Sequence, residues 1–156
     1  MLKKILGVVL ILVVFIQFVR PFKNTGSVTG PDDIHHVLGS VPTEVQTVLE
    51  KACYDCHSNH TNYPWYTNIQ PIGWWMQHHV NEGKAHLNFS EMRYAKKGRL
   101  AHKLSELADE VADGKMPIPN YTRMHKLAML SDAEKQLLIN WANAEKLKAE
   151  RAEANL

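Results

Sequence analysis

Apolar side chains recur at helical spacing in three segments of the chain, and this pattern predicts an all-α fold. The first segment follows a candidate N-cap at Thr43 and ends at Cys53, with an apolar face of Val45, Val48, Leu49 and Ala52. The second follows a candidate cap at Ser90 and ends at Gly114, with a stripe of Leu100, Leu104, Leu107, Ala108 and Val111. No segment alternates with the period of two that a half-buried strand requires.

The third helical segment has the clearest start signal. Ser131 and Glu134 have the spacing of a capping box, and an apolar face follows at Leu137, Leu138, Trp141, Ala144 and Leu147. Beyond residue 147 the sequence turns polar, which predicts a frayed, solvated end. Residues 58–89 are rich in proline, asparagine and aromatic residues, so we expect irregular chain there with one short helix around 72–82.

Residues 1–23 form an apolar segment with a basic start. Lys3 and Lys4 precede an apolar run over 5–19, whose helix would be about 22 Å long against a hydrocarbon core of about 30 Å. No Ala-x-Ala-like cleavage site follows, so we interpret 1–23 as an uncleaved membrane-anchor helix; a cleaved signal peptide and a buried helix are the alternatives. The lysines predict a single pass through the inner membrane, with the rest of the chain on the periplasmic side.

Residues 24–42 predict a flexible linker, and residues 43–156 a single domain. The linker contains three glycines and two prolines and has no apolar periodicity. His35 and His36 within it are interpreted as an exposed polar pair rather than a metal site. Four of the 18 basic residues and none of the 16 acidic ones lie in residues 1–23. The remainder is slightly acidic, which argues against a nucleic-acid partner.

The sequence Cys53-Tyr54-Asp55-Cys56-His57 is the attachment signal of a c-type haem. Two thiols at this spacing can add to the two vinyl groups of one porphyrin, and the adjacent imidazole can bind the iron as its proximal ligand. The chain has no other cysteines.

Three other chemistries use paired cysteines. A thioredoxin-like site follows a strand, and none is predicted here. A zinc site would need further ligands; His60 or His78 could serve, but no second CxxC motif appears. A disulfide would leave His57 without a role.

Met116 is the candidate for the sixth iron position. It lies in the loop Asp113-Gly114-Lys115-Met116-Pro117 between two predicted helices, 59 residues after His57. A neutral thioether on a short loop fixed by proline suits an electron-transfer haem. A methionine elsewhere in the chain is more often core filler.

Two resemblances follow from these motifs. The order of helix, CxxCH, irregular chain, Met-Pro loop and C-terminal helix resembles the class I cytochrome c plan over residues 43–147. The chain also resembles the bacterial haem-binding domain family of short exported proteins. The residues that carry this second resemblance are Cys53 to Asn59, Tyr63-Pro64-Trp65-Tyr66, Trp74-Trp75, His79-Val80, His86-Leu87-Asn88-Phe89-Ser90, Met116-Pro117, Tyr121 and His125.

The resemblance implies one covalent haem c per chain, with His57 and Met116 as the expected iron ligands. We therefore expect a membrane-anchored, cytochrome c-like protein that passes single electrons to redox partner proteins. A haem enzyme or sensor with an open or labile sixth iron site is the alternative, so enzymatic activity is left undecided.

The middle of the chain contains further candidates. Trp65, Trp74 and Trp75 are expected to be haem-pocket and core aromatics, with a partner-docking surface as the alternative. His79 and His86 are expected near the haem, as structural residues, propionate partners or distal ligands. The same possibilities hold for His78 and His125. Further candidates for pairing with the propionates are Arg93, Lys97 and Arg99.

Overall fold

The computed structural model describes residues 1–93 and 99–154, and within them every regular element is helical. The α-helices are α1 (Leu2–Ile16), α2 (Ile34–Leu38), α3 (Thr43–Ala52), α4 (Tyr54–His57), α5 (Ile72–His86), α6 (Leu100–Ala112), α7 (Pro119–Met124) and α8 (Asp132–Glu153). Two 3₁₀ turns occur at Trp65–Asn68 and Lys126–Ala128. The predicted all-α class is confirmed.

The core lies where α8 packs along α6 and against α3. Its buried members are Ile34, Val45, Val48, Leu49, Tyr54, Phe89, Met92, Leu107, Ala108, Val111, Leu138, Trp141 and Ala142. The stripes predicted for α3 and α6 supply much of this list, because residues spaced by three and four fall on one face of a helix. α5 packs instead against α4 and the first 3₁₀ turn, which brings it beside the CxxCH turn.

The buried face of α8 differs from the prediction in its second half. Ala144 and Leu147 are exposed, and the positions that face the core are Leu138, Trp141, Ala142, Glu145 and Ala149. These positions also follow the helical period, but they include two small residues and a buried glutamate, which binds Lys148 at 2.7 Å. The prediction from large apolar side chains is therefore right for Leu138 and Trp141 and wrong for Ala144 and Leu147.

Two predicted helix starts also differ. Thr43 is the first helical residue of α3, and Pro42 takes the cap position. Ser90 caps no helix: it is buried, and its hydroxyl accepts a hydrogen bond from the Asn59 amide at 3.1 Å. The helix α6 begins only at Leu100. The predicted capping box at Ser131 and Glu134 is present in full.

Residues 24–42, predicted as a flexible linker, pack against the domain. The Gly26 amide donates to the Asn59 carbonyl at 2.7 Å, and Ile34 and Asp33 are buried. Asp33 caps α2 by accepting from the His36 amide. The glycines and prolines of this segment therefore lie in ordered chain. The segment is held by hydrogen bonds and by buried side chains such as Ile34, which a count of glycines and prolines does not reveal.

The N-terminal helix α1 has no buried residue. No helix within the described ranges is both long and apolar enough to cross a membrane. The end of α1 is attached to the domain through Gln17, whose side chain accepts from the Gln70 amide at 2.9 Å and donates to the Gln70 carbonyl at 3.1 Å.

The ion pair between Lys51 of α3 and Glu134 of α8 gives a pH-dependent contribution to stability. The hydrogen bond from Lys51, with those from Ser131, lowers the pKa of Glu134 from its ordinary 4.5 to about 2. Because the folded-state pKa is depressed, this stabilisation is present above pH 4.5 and disappears as the pH falls towards 2. Glu134→Gln is expected to lower the free energy of unfolding at neutral pH by about 1 kcal/mol.

Denaturant unfolding of the wild type and the variant, followed by circular dichroism at several pH values, measures this effect. The difference between the two should shrink as the pH falls below 4.5. Glu150→Gln, at an exposed position of the same helix, is the control and should change little. A Glu134→Gln difference that stays constant with pH would contradict the prediction.

Candidate functional site

The CxxCH segment forms a single helical turn directly after α3. The amides of Cys56 and His57 both donate to the Cys53 carbonyl, at 3.1 and 2.9 Å. Tyr54 is anchored in the core, where its ring stacks on Phe89 with centroids 5.5 Å apart. The turn therefore presents Cys53, Cys56 and His57 to the same cavity.

This cavity has a volume of about 470 Å³, which lies within the range of small-molecule and cofactor sites. Its walls come from α3, α4, α5, α6 and the loop that leads into α7. The lining residues are Ala52, Cys53, Cys56, His57, His79, Glu82, Gly83, His86, Leu87, Phe89, Lys103, Glu106, Leu107, Glu110, Val111, Met116, Pro117, Ile118 and Tyr121.

His57 is held so that one ring nitrogen is left for a ligand. Its Nδ1 lies 2.8 Å from the Leu87 carbonyl, and because a carbonyl only accepts, Nδ1 is the donor. Nε2 then carries the lone pair. Burial lowers the pKa of His57, which favours the neutral imidazole that metal coordination requires.

The two cysteines are free thiols on the cavity wall. Burial, with a smaller contribution from Cys56, raises the pKa of Cys53 to about 12. Burial and the nearby Asp55 carboxylate raise the pKa of Cys56 to about 11. Redox-active CxxC pairs contain a thiol of lowered pKa, so this environment speaks against a thioredoxin-like role. The described residues contain no cluster of three or more His, Cys, Asp or Glu able to hold a metal ion.

The Met-Pro loop brings Met116 to the same cavity as His57. After α6 ends, Gly114 adopts a positive φ of 69°, a conformation that favours glycine. The amides of Lys115 and Met116 then both donate to the Glu110 carbonyl, at 3.0 Å. The turn predicted from Gly114 therefore fixes the start of the loop, and the Met116 side chain packs half-buried against the core.

His79 and His86 also line the cavity, from α5. His79 Nδ1 donates to the Trp75 carbonyl at 2.8 Å, whereas His86 is exposed. His78 and His125 do not line it. The Nε2 atom of His125 lies 2.6 Å from the Tyr66 hydroxyl, and its ring stacks on Tyr121.

The three tryptophans predicted as pocket and core aromatics lie outside the cavity. Trp65 is 76% exposed, Trp74 36% and Trp75 42%. For Trp74 and Trp75 the reason is the orientation of α5, whose buried residues are Gly73, Met76, Gln77 and Val80. Trp74 and Trp75 fall on its other faces.

The charged residues at the cavity also differ from the expected ones. Arg93 lies near Asp32 and Glu91, at 3.7 and 3.5 Å, and does not line the cavity; neither does Arg99. Lys97 lies outside the described residues. Lys103 lines the cavity instead, hydrogen bonded to Glu106 at 2.6 Å. The sequence contained one sign that Lys103 lies at the cavity: it is four residues before Leu107 and eight before Val111, and residues four apart share a helix face.

Gly83 is a functional position that motif analysis missed. A Cβ atom there would lie 2.7 Å from the Cys56 carbonyl oxygen. Only glycine lets α5 approach the CxxCH turn this closely. Leu87 and Phe89 were also missed as cavity residues, although both belong to the motif that supplied His86.

A second group of polar contacts, centred on Asp55, braces the turn. Asp55 accepts from the Tyr121 hydroxyl at 2.7 Å and from the Asn62 amide at 3.0 Å. The Thr61 hydroxyl donates to the Asp55 carbonyl at 2.6 Å. The CxxCH turn is thus hydrogen bonded to Tyr121 of α7 and to residues 61–62, which follow the turn in the sequence.

Comparison with known proteins gives one match. The model of a family described as haem-binding domain matches residues 11–144, more than four fifths of the chain. No curated protein and no solved structure matches the chain.

Proposed function

The chain belongs to the haem-binding domain family, and from that membership we propose that it carries one covalent haem c and transfers single electrons. The observation that carries this proposal is the composition of one cavity. Two cysteines, a neutral histidine and a methionine from separate parts of the chain line the same space of about 470 Å³.

The residues around the cavity fit a haem. Leu87, Phe89, Leu107, Val111 and Ile118 give it the apolar wall that a porphyrin ring requires. Because His57 Nδ1 donates to the Leu87 carbonyl, the orientation of the ring is fixed and Nε2 is the nitrogen available to the iron.

Each chemical role has a residue in this chain. The thiols of Cys53 and Cys56 would form the thioether bonds, Nε2 of His57 would be the proximal ligand, and the Met116 sulfur the distal one. Bound haem supplies an iron that gains and loses one electron. The apolar wall limits access of water, and Lys103 offers a cation to a carboxylate group at the cavity.

We also propose that the protein is exported and held at the inner membrane by residues 1–23, with the haem domain on the periplasmic side and redox proteins as partners. The support is the exposed, apolar surface of α1 and the two lysines at its start. This location agrees with the proposed cofactor, because haem c is attached to proteins on the periplasmic side of the membrane.

A haem enzyme or sensor is the second candidate function. It is favoured by the polar groups that share the cavity with Met116, namely His79, Glu82 and His86. Such groups could bind or protonate a small ligand if the sixth iron position were open.

One set of spectra on the purified full-length protein tests the electron-transfer proposal. Ferric protein with methionine as distal ligand is expected to show the charge-transfer band at about 695 nm, and the ferrous protein should not bind carbon monoxide readily. Absence of the band together with immediate carbon monoxide binding would favour the enzyme or sensor.

A further inference from the structure

Large apolar side chains are exposed along residues 65–75, the segment whose Gln70 and Trp74 are hydrogen bonded to the end of α1. We call this surface the tryptophan patch; its members are Trp65, Ile69, Ile72, Trp74 and Trp75. Trp65 is 76% exposed and the others between 36% and 45%. Three of the four tryptophans in the chain are here, so the patch is not the scatter of single apolar residues that every protein surface carries.

The patch and α1 are joined by direct hydrogen bonds. The indole nitrogen of Trp74 donates to the Val19 carbonyl at 2.7 Å. The paired bonds between the Gln17 side chain and the Gln70 backbone lie beside it. The patch therefore has a fixed place at the C-terminal end of α1.

The apolar surface of α1 continues across this junction. The helix has 15 residues and is about 22 Å long, shorter than a hydrocarbon core of about 30 Å. Phe18 and Phe22, which follow the helix, are 81% and 98% exposed. A bilayer that covers α1 would extend beyond its end to the level of these residues and of the patch.

Positive charges adjoin the patch. Arg20 and Lys23 are exposed and line a shallow cleft together with Gln70 and Gly73, next to Trp74. Tryptophan together with lysine or arginine is the combination found at the level of lipid headgroups, where an indole ring meets both apolar and polar surroundings and cations meet phosphate.

We propose that the tryptophan patch lies in the headgroup region of an anionic lipid bilayer, so that the domain rests on the membrane that α1 enters. This inference rests on the membrane attachment proposed above and deepens it. The continuity with α1 and the adjoining cations favour lipid over a second copy of the chain or a protein partner as the occupant.

Photolabelling of the full-length haem-loaded protein tests the proposal. The protein is reconstituted into vesicles of phosphatidylcholine and phosphatidylglycerol that contain a phospholipid with a photoreactive diazirine near its glycerol backbone. Lipid adducts are then mapped by mass spectrometry. Peptides that contain the patch should carry several-fold more adduct than the peptide that contains Leu147, which is 52% exposed on α8 and serves as the matched apolar control.

A double variant sharpens the test. Ile69→Glu with Ile72→Glu should remove most adducts from the patch and leave those on α1, because carboxylates are repelled from an anionic headgroup layer. Leu147→Glu should alter neither. Haem staining of each variant shows separately that the proposed cofactor is retained.

The other outcomes overturn the inference in different ways. Adducts on α1 but none on the patch would mean that the domain stands away from the bilayer. A patch that forms crosslinks to a second chain instead of lipid would be a protein interface. If the residues at both ends of α1 were also unlabelled, the proposed membrane attachment would fail together with the patch.

Discussion

Replacing both Cys53 and Cys56 by alanine is expected to abolish covalent haem. The two thiols line the cavity beside His57 and have no partner in a disulfide, so they are free to form thioether bonds. Haem staining of a denaturing gel should be positive for the wild type and blank for the double variant. Acid–acetone extraction should leave the colour with the wild-type polypeptide.

His78→Ala is the matched control for this experiment. His78 is exposed on α5 and does not line the cavity, so the variant should stain as strongly as the wild type. Circular dichroism of the double cysteine variant would distinguish loss of attachment from loss of the helices. Colour that extracts completely from the native wild-type protein would show that the proposed covalent attachment is wrong.

Met116→Ala is expected to remove the near-infrared methionine band and to open the iron to carbon monoxide. The substitution should also lower the midpoint potential by on the order of 100 mV, because a thioether stabilises ferrous iron relative to water or imidazole. Potentiometric titration, with spectra of the ferrous protein before and after addition of carbon monoxide, measures all three effects.

His79→Ala and His86→Ala provide the comparison, since both side chains line the same cavity from α5. Each should leave the methionine band in place. If one of them opened the site instead, the haem would have two histidine ligands and Met116 would be only part of the wall. A wild-type protein that binds carbon monoxide at once and is indifferent to Met116→Ala would favour the haem enzyme or sensor.

The features that could be predicted are those that depend on residues close to one another in the sequence. The capping box at Ser131 and Glu134 is a local device, and the structure contains it in full. The turn at Gly114 depends on one residue that tolerates positive φ. The placement of Met116 on a loop after α6 followed from these signals. That it shares a cavity with His57 was expected from its candidacy for the sixth iron position and from the cytochrome c resemblance.

What could not be predicted depends on how the helices are oriented. Trp75 is apolar enough to be a core residue, but α5 buries Gly73, Met76, Gln77 and Val80, and Trp75 is 42% exposed. Lys103 reaches the cavity because the face of α6 that it shares with Leu107 and Val111 packs there; the spacing is visible in the sequence, but the position of that face is not. Residues 24–42 look like a linker in composition, yet Ile34 at 2% exposure contributes to the core.

The carboxylates at the cavity give its mouth a negative charge. Glu82, Glu106 and Glu110 line it, but Lys103 pairs with Glu106 at 2.6 Å and Lys115 lies 3.7 Å from Glu110, so the carboxylates exceed the lysines by one. Charges of one sign around a concave apolar surface attract oppositely charged molecules over roughly the Debye length, about 10 Å at 0.1 M salt. We therefore expect a modest preference of this opening for cationic surfaces, and added salt should remove it.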